Sequence, residues 1–306
     1  MVETKKAQSV RRCIDCAVII FGTLILVITS AVALVRTTTS APVISLVTRG
    51  TNSLKIDFAD GKTTTGKTYQ YSLDAGATWH KVTAKNRSVT VASVPAGRSV
   101  KVSLRSSNSH GLSKPSKIYG GKRAIFLGAS ITLGSLVSGK SWARKVSSTL
   151  GWQYANLGSS GSGFMRPTKF GADCKGFRNF KSQVRCGTSW FPDVVILSGG
   201  FNDCWDADHQ EEELQKQILS TFKYTKAHFP DAEIIATPVI TTATNPCLRK
   251  IGNWMATSAA STGIEFVAGA DLWLSGKESE YSIDGVHPNL KGHNYVARQF
   301  VNWYSN

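Results

Sequence analysis

The chain has 306 residues, of which 42% are hydrophobic, so it is long enough for two packed domains and its composition argues against a disordered chain. The formal net charge of +16 is concentrated in residues 41–121, which carry 12 basic and 3 acidic side chains. These basic residues are spread over predicted strands and turns without a recognition helix, which argues against a nucleic-acid partner. Two interpretations stay open: a solvated basic surface, or a surface that binds an anionic membrane or cell-envelope polymer.

The N-terminal segment has the pattern of a membrane anchor. Cys16 to Val35 contains no charged residue and matches the roughly 20 apolar residues that a helix needs to cross a bilayer. Four basic residues precede it: Lys5, Lys6, Arg11 and Arg12. Residues 1–36 are therefore predicted to be a cytoplasmic tail and a single transmembrane helix, with everything after Arg36 outside. The alternative is a secreted protein, because Ala31-Val32-Ala33 has the small-x-small form of a signal-peptide cleavage site.

Residues 41–119 have the pattern of a small all-β sandwich. Short alternating runs separated by turn residues predict strands and show no helical period; examples are Ser53–Phe58, Ser88–Ala92 and Ser99–Arg105. Two segments, Tyr69–Trp79 and Val102–Ser116, resemble a bacterial fibronectin type III module. That resemblance implies a spacer or a binding platform. Together with the positive charge, it favours an anionic cell-envelope or membrane surface as a partner.

Residues 122–306 alternate between predicted strands and helices. Apolar strands are predicted at Ala124–Gly128, Gln153–Leu157, Asp193–Ser198, Glu233–Ala236 and Gly263–Val267. Helices are predicted at Ser141–Leu150, Asp208–His228, Asn245–Thr262 and Leu290–Tyr304, with Asp208 as an N-cap. This alternation predicts an α/β domain, a doubly wound, flavodoxin-like parallel sheet of about five strands with helices on both faces.

Polar residues follow these strands, at the edge where sites lie in parallel sheets. Ser130 follows the first strand, Gly158 the second and Asn202 the third, whereas Asp284 and His287 precede the last helix. A serine hydroxyl becomes a nucleophile when a base takes its proton. His287 is suited to be that base, and Asp284, three residues earlier, is near enough to hold its other ring nitrogen.

The order of these blocks resembles that of the SGNH (GDSL-type) hydrolases, from about Lys122 to the end of the chain. The resemblance implies a serine esterase with Ser130, His287 and Asp284 as catalytic residues. It also implies an oxyanion hole made by the N–H groups of Ser130 and Gly158 and the side-chain amide of Asn202. No metal or organic cofactor is implied, because the sequence holds no HExxH motif, dense His/Cys set or phosphate loop.

The expected reaction is hydrolysis of an O-acyl ester on a carbohydrate or cell-envelope glycan, outside the cell. Acyl transfer would use the same residues, so the sequence leaves it open as an alternative. A third interpretation is an inactive envelope-binding protein, because Ala129 stands where the family has Asp in its Gly-Asp-Ser block. The loss of that Asp is expected to change how the nucleophile loop is supported.

Four cysteines follow the predicted anchor, and in an exported region they indicate two disulfides. Three pairings are possible; Cys174–Cys186 and Cys204–Cys247 are favoured. The first would close a loop within Ser162–Trp190, a long connection that mixes aromatic and basic residues. Its aromatic side chains either pack into the core or form a wall over the substrate.

Overall fold

The computed structural model describes residues 40–60, 67–95, 97–109, 111–168 and 179–306. The predicted anchor, residues 1–36, lies outside these ranges and stays a prediction. Within them, every helix is too short or too polar to cross a bilayer.

The N-terminal region forms two layers of antiparallel strands. Its strands are β1 (Val43–Gly50), β2 (Ser53–Ala59), β3 (Thr68–Ser72), β4 (His80–Val82), β5 (Ser88–Ala92), β6 (Ser103–Asn108) and β7 (Gly111–Leu112). Strands β1, β2 and β5 pair in one layer, and the second layer has the order β4-β3-β6-β7. In β2 every second side chain is buried, Leu54, Ile56 and Phe58, and these pack with Tyr69 and Leu104 of the other layer. The specific resemblance to fibronectin type III stays a prediction.

The C-terminal region alternates strands with helices, as predicted. Its strands are β8 (Arg123–Gly128), β9 (Gln153–Asn156), β10 (Val194–Ser198), β11 (Glu233–Thr237) and β12 (Glu265–Phe266). Its helices are α1 (Ser130–Leu133), α2 (Trp142–Leu150), α3 (Phe180–Gly187), α4 (Cys204–His209), α5 (Glu211–His228), α6 (Pro246–Thr262), α7 (Glu278–Tyr281) and α8 (Leu290–Ser305). The five strands are parallel in the order β12-β11-β10-β8-β9, with helix α2 packed on α8 and α5 packed on α3 and α6.

The predicted helix Asp208–His228 is in fact two helices. Helix α4 ends at His209, the backbone leaves the helical region at Gln210 (φ −138°, ψ 44°), and α5 begins at Glu211. The prediction of Asp208 as an N-cap was therefore wrong, because Asp208 lies inside α4.

The sheet is larger than the five strands predicted. Strand β1 pairs in parallel with β9, through Val47 opposite Gln153 and Thr48 opposite Tyr154, so that β1, β2 and β5 extend one mixed sheet to eight strands. A free β9 edge would expose unpaired backbone N–H and C=O groups, and β1 covers it. Leu46 of β1 belongs to the core of the C-terminal region.

Side-chain contacts reinforce this junction. The Arg144 guanidinium of α2 donates to Asp57 of β2 (2.7 Å), and Gln153 Nε2 of β9 donates to the carbonyl of Val100 (3.1 Å). The Tyr119 hydroxyl donates to the carbonyls of Ser147 and Trp152, at 3.2 and 3.1 Å. Backbone and side-chain hydrogen bonds therefore both cross between the two regions.

Candidate active site

The predicted catalytic residues come from two places in the fold. Ser130 is the first residue of α1, directly after β8, and Asp284 and His287 lie in the connection between α7 and α8. Their side chains meet beyond the carboxyl ends of the parallel strands, as expected for an open α/β sheet.

Ser130, His287 and Asp284 form one hydrogen-bonded chain. Ser130 Oγ lies 2.9 Å from His287 Nε2, and His287 Nδ1 lies 2.8 Å from Asp284 Oδ2. A carboxylate only accepts, so Nδ1 carries the proton and donates to Asp284. Nε2 is then the unprotonated nitrogen and accepts from the Ser130 hydroxyl. This is the tautomer that a general base for Ser130 requires.

Asp284 is held in place by backbone as well as side-chain bonds. Its Oδ1 accepts from the backbone N–H groups of His287 (2.8 Å) and Val286 (3.1 Å). The backbone bond from His287 is the main reason that the pKa of Asp284 is lowered from its ordinary value. Asp284 therefore stays ionised at neutral pH, as a partner for an imidazolium must.

Two of the three predicted oxyanion donors are positioned at the same cavity. Ser130 lies at the start of α1, where a backbone N–H has no partner inside the helix, and no side chain caps it. Asn202 lies in a single 3₁₀ turn, Phe201–Asp203, directly after β10. Its Nδ2 donates to the carbonyl of Ser162 at 2.8 Å, which orients the amide and leaves its second N–H for another acceptor.

The third predicted donor, Gly158, is not at the cavity. Its N–H donates to Asn156 Oδ1 at 3.0 Å, and the residue is buried. Gly161 occupies the expected place instead: it lines the cavity beside Ser130 and Asn202 and is exposed. Gly161 has φ +77° in a turn closed by the bond from Ser162 N–H to the Ser159 carbonyl, a backbone that favours glycine. Its N–H donates to no residue that the structure describes.

The nucleophile loop is clamped by Gln183. Gln183 Oε1 accepts from the backbone N–H of Gly128 (2.8 Å), and its Nε2 donates to the carbonyl of the same glycine (2.9 Å). Ser162 Oγ donates to that carbonyl as well, at 3.0 Å. Gly128 precedes Ala129, so these bonds fix the backbone one residue before the position where the family carries Asp. Gln183, fully buried on α3, was not singled out from the sequence.

Asp203 supports the turn that carries Asn202. Its carboxylate accepts from the backbone N–H groups of Phe164 and Met165, both at 2.9 Å. Burial raises the pKa of Asp203 to about 6, although the two backbone bonds act in the opposite direction. Gly163 passes so close that a Cβ there would lie 2.3 Å from the carboxylate. The Asp that follows Asn202 in the sequence was the available signal for this role.

The cavity around Ser130 has a volume of about 360 Å³. Most of the exposed surface of its wall is apolar, and seven apolar side chains contribute to it: Ala129, Ile131, Leu136, Phe201, Val239, Ile240 and Val286. Such a wall accommodates a hydrocarbon group better than a charged or heavily hydroxylated one.

Part of the long connection Ser162–Trp190 is described. Phe164, Phe180 and Trp190 are at most 4% exposed and pack in the core, so they do not form the substrate wall that was considered. Residues 169–178 lie outside the described residues. The predicted Cys174–Cys186 pairing therefore stays a prediction.

The second predicted disulfide is present. Cys204 and Cys247 are bonded, with Cα atoms 5.4 Å apart, and they join the first residue of α4 to the first turn of α6. Asn202 and Asp203 immediately precede Cys204, so the bridge ties down the segment that presents Asn202.

Among the described residues, no group of three His, Cys, Asp or Glu side chains is arranged to hold a metal ion. The site's polar groups are a nucleophile, a base and hydrogen-bond donors, arranged as in serine hydrolases that form an acyl-enzyme.

The hydrogen-bonded residues Ser130, His287 and Asp284 lie at the carboxyl edge of a doubly wound sheet. Together they define a serine hydrolase-type site. The chain belongs to the GDSL-like lipase/acylhydrolase family, whose model matches residues 126–295. It is 30% identical over 107 residues to the GDSL lipase Rv0518 of Mycobacterium tuberculosis, a match covering 34% of this chain and 46% of that protein. The match therefore spans less than half the length of that relative.

Two solved structures also resemble the chain. One is an acetyl xylan esterase (Est2A) from the rumen bacterium Butyrivibrio proteoclasticus, with 13% identity, a TM-score of 0.49 and coverage of 88% of this chain and 95% of that one. The other is a carbohydrate esterase family 2 enzyme with a carbohydrate-binding domain from Corynascus thermopiles, with 18% identity, a TM-score of 0.47 and coverage of 87% and 94%. At these identities, neither structure identifies a substrate for this chain.

Proposed function

We propose that the protein is a serine esterase that hydrolyses an O-acyl ester through an acyl-enzyme on Ser130. The observation that carries the proposal is the continuous hydrogen-bonded chain from Ser130 Oγ through the His287 ring to Asp284, with distances of 2.9 and 2.8 Å. Family membership over residues 126–295 supports the same chemistry.

The first half-reaction forms the acyl-enzyme. Ser130 Oγ attacks the ester carbonyl carbon while its proton moves to His287 Nε2, and the carbonyl oxygen becomes an oxyanion. The N–H groups of Ser130 and Gly161 and the free N–H of Asn202 donate to that oxyanion. When the tetrahedral intermediate collapses, the bond to the alcohol oxygen breaks. The alcohol leaves with the proton from the imidazolium.

The second half-reaction releases the acid. Water attacks the acyl carbon as His287 Nε2 takes its proton, and the same three donors hold the second oxyanion. The bond to Ser130 Oγ then breaks and Oγ regains a proton from His287, so the enzyme returns to its starting state. Asp284 stays ionised throughout and stabilises the imidazolium.

We propose further that the acyl group is carried by a carbohydrate or cell-envelope glycan and that the site works outside the cytoplasm. The Cys204–Cys247 disulfide supports an oxidising compartment, since such bonds are rare in cytosolic proteins. The uncharged segment Cys16–Val35 supports export or anchoring in a membrane. The acyl group would occupy the apolar cavity beside Ser130.

The alternative of an inactive envelope-binding protein rested on Ala129. In this protein Gln183 supports the nucleophile loop in place of an Asp side chain, because it bonds to both the N–H and the carbonyl of Gly128. The hydrogen bond between Ser130 and His287 is present without the Asp. Both observations favour an active enzyme.

We propose that the N-terminal layers hold the enzyme against an anionic surface. Several basic side chains there are exposed to solvent: Lys81, Lys85, Arg87, Arg98, Lys101, Lys114 and Lys117. Salt screens the attraction between exposed charges, so binding to anionic vesicles should weaken from low to high salt. Binding that is independent of salt would contradict this role.

The direct test of esterase activity is hydrolysis of p-nitrophenyl acetate by residues 40–306 and by the Ser130→Ala variant. We expect the variant to lose activity by a factor on the order of 10³ or more, because the nucleophile is gone. Ser261→Ala, a change of the same kind on the exposed side of α6, serves as the control and should retain full activity. Equal rates for the Ser130→Ala variant and the unaltered protein would refute the proposal.

A further inference from the structure

A second cavity adjoins the one around Ser130. It has a volume of about 450 Å³ and is lined by Gly161, Arg166, Asn202 and Trp205. Gly161 and Asn202 also line the cavity around Ser130, so the two spaces meet at the proposed oxyanion donors. A substrate bound at Ser130 would therefore extend directly into the second cavity.

Trp205 is unusually exposed for its residue type. Its side chain, on α4, is 53% exposed, whereas Trp142, Trp152 and Trp190 are at most 4% exposed. One face of the Trp205 ring is stacked on His209, with centroids 4.4 Å apart and planes 13° apart. His209 Nδ1 bonds in turn to the Trp205 carbonyl at 2.7 Å. The indole is thus supported by His209, and the half of its surface that remains exposed contributes to the wall of the second cavity.

Arg166 is held beside this ring. Its Nε and Nη2 donate to the two carboxylate oxygens of Asp206, at 2.7 and 3.0 Å, and its guanidinium carbon lies 5.1 Å from the Trp205 ring centroid. The Asp206 side chain is 4% exposed, but that of Arg166 is 41% exposed. A guanidinium has five N–H donors, and these two bonds use two of them. The others reach no acceptor in the part of the chain that the structure describes.

The two cavities suit different chemistry. The space around Ser130 has an apolar wall, whereas this one combines an aromatic surface with hydrogen-bond donors. Asp206 neutralises the charge of Arg166, so the pair offers donors without a net charge. A pyranose ring matches this combination, because it has apolar C–H faces and hydroxyl groups around its edge.

We propose that Trp205 and Arg166 form a subsite for a neutral sugar ring that carries the acyl group cleaved at Ser130. The exposed part of the indole, left uncovered by His209 and Arg166, packs against the C–H face of the sugar ring, and the free guanidinium N–H groups donate to its hydroxyl oxygens. The inference rests on the proposed esterase function. It means that residues outside the triad bind the alcohol part of the ester substrate.

The test compares two substrates, O-acetylated cellobiose and p-nitrophenyl acetate, which lacks a sugar. For Trp205→Ala, we expect the ratio of kcat/KM for the sugar ester to kcat/KM for p-nitrophenyl acetate to fall about tenfold, mainly through KM. Trp205→Tyr keeps an aromatic face and should keep the ratio within about threefold. Arg166→Lys keeps a cation beside Asp206 but loses the planar fork, so the ratio should fall here too.

Phe191→Ala is the matched control. Phe191 is 65% exposed and precedes β10, at the opposite end of the strand from Asn202, so both activities should match the unaltered protein. An unchanged ratio in Trp205→Ala and Arg166→Lys would overturn the subsite while esterase activity stood. A higher kcat/KM for an acetylated uronic acid than for acetylated cellobiose, lost on addition of salt, would contradict a neutral sugar. Failure of the unaltered protein to hydrolyse either ester would instead overturn the proposed function.

Discussion

At the scale of single residues, the reactivity of Ser130 depends on the backbone that presents it. Gln183 reaches from α3 to hold both polar groups of Gly128, two residues before the nucleophile. Its Nε2 also donates to Ser162 Oγ at 3.0 Å. The backbone carbonyl of Ser162 in turn accepts from the side-chain amide of Asn202. A single buried amide thereby connects the nucleophile loop to the side chain proposed to bind the oxyanion.

Replacing Gln183 with Met should therefore impair turnover without changing the triad. Met has a similar size and makes neither bond to Gly128, so the N–H of Gly128 loses its side-chain partner and only the bonds from Ser159 and Ser162 still hold the carbonyl. A displacement of about 1 Å can cost on the order of 10²-fold in rate. We expect kcat for p-nitrophenyl acetate to fall by about 10- to 100-fold with a smaller change in KM.

The control for this change is Gln215→Met, which alters an exposed pair with Glu211 on α5. It should leave kcat unchanged. A Gln183→Met protein with full kcat would show that the clamp is not needed to position Ser130.

The sequence was sufficient to predict the three residues that the structure joins by hydrogen bonds, but not every residue that lines the cavity beside them. The sequence singles out Ser130, Asp284 and His287 for two reasons. Each residue type suits one chemical role, and the three follow one another in the order typical of the family. Gly158 and Gly161 follow the same strand three residues apart, so composition and order cannot separate them. The difference is a matter of conformation: the N–H of Gly158 is bonded to Asn156, whereas Gly161 has φ +77° in a turn beside the cavity.

At the scale of elements, the strand and helix pattern was readable because apolar strands alternate with amphipathic helices. The break between α4 and α5 was not readable. No Gly or Pro marks it, and Gln210 leaves the helical region although its neighbours favour helix. The Cys204–Cys247 bond holds the short helix α4 against α6, an interaction between residues 43 positions apart. Helical propensity describes only neighbouring residues and cannot report such a constraint.

Two helices near the site are joined through a buried histidine. His293 on α8 is 2% exposed, and its Nδ1 accepts from the backbone N–H of Trp142 at the start of α2 (3.1 Å). Burial lowers the pKa of His293 to about 4, with a smaller contribution from His287. In the unfolded chain this imidazole takes up a proton at a higher pH than in the folded protein. Its contribution to stability is therefore present above pH 6.5 and is lost as the pH falls towards 4.

This predicts that the free energy of unfolding decreases on acidification by on the order of 3 kcal/mol through His293. His293→Gln keeps an acceptor for Trp142 but does not titrate, so its stability should fall less between pH 6.5 and 4. Urea unfolding at several pH values measures both proteins. Asp203, whose pKa is raised to about 6, makes the free energy of unfolding increase on acidification. Both proteins contain Asp203, so its effect cancels when their pH profiles are compared. Parallel pH profiles for the two proteins would contradict a neutral, buried His293.

At the scale of the whole molecule, the N-terminal layers and the α/β region share a sheet. The sequence suggested two separate units because the strand pattern changes near Gly120-Gly121. The pairing of β1 with β9 joins residues about a hundred positions apart, and no local pattern specifies such a partner. The open edges of the predicted five-stranded sheet, next to a β-rich region in the same chain, were the available hint.

The shared sheet predicts that both regions unfold together. Leu46 is 2% exposed and packs in the core of the C-terminal region, so Leu46→Ala should cost about 2–5 kcal/mol. Thermal unfolding followed by far-ultraviolet circular dichroism and by loss of esterase activity should show one transition, shifted equally in both signals. Val43→Ala is the control on the same strand, since Val43 is 65% exposed and should change the midpoint little. Two separate transitions, with the activity midpoint unmoved in Leu46→Ala, would refute this coupling.

The central claim is that Ser130 is a nucleophile activated by His287. The most direct measurement is mass spectrometry of the protein after treatment with a fluorophosphonate, which bonds covalently to activated serines. We predict a single adduct on the peptide that contains Ser130, absent from Ser130→Ala and strongly slowed in His287→Ala. No adduct, or an adduct on a different serine, would contradict the account.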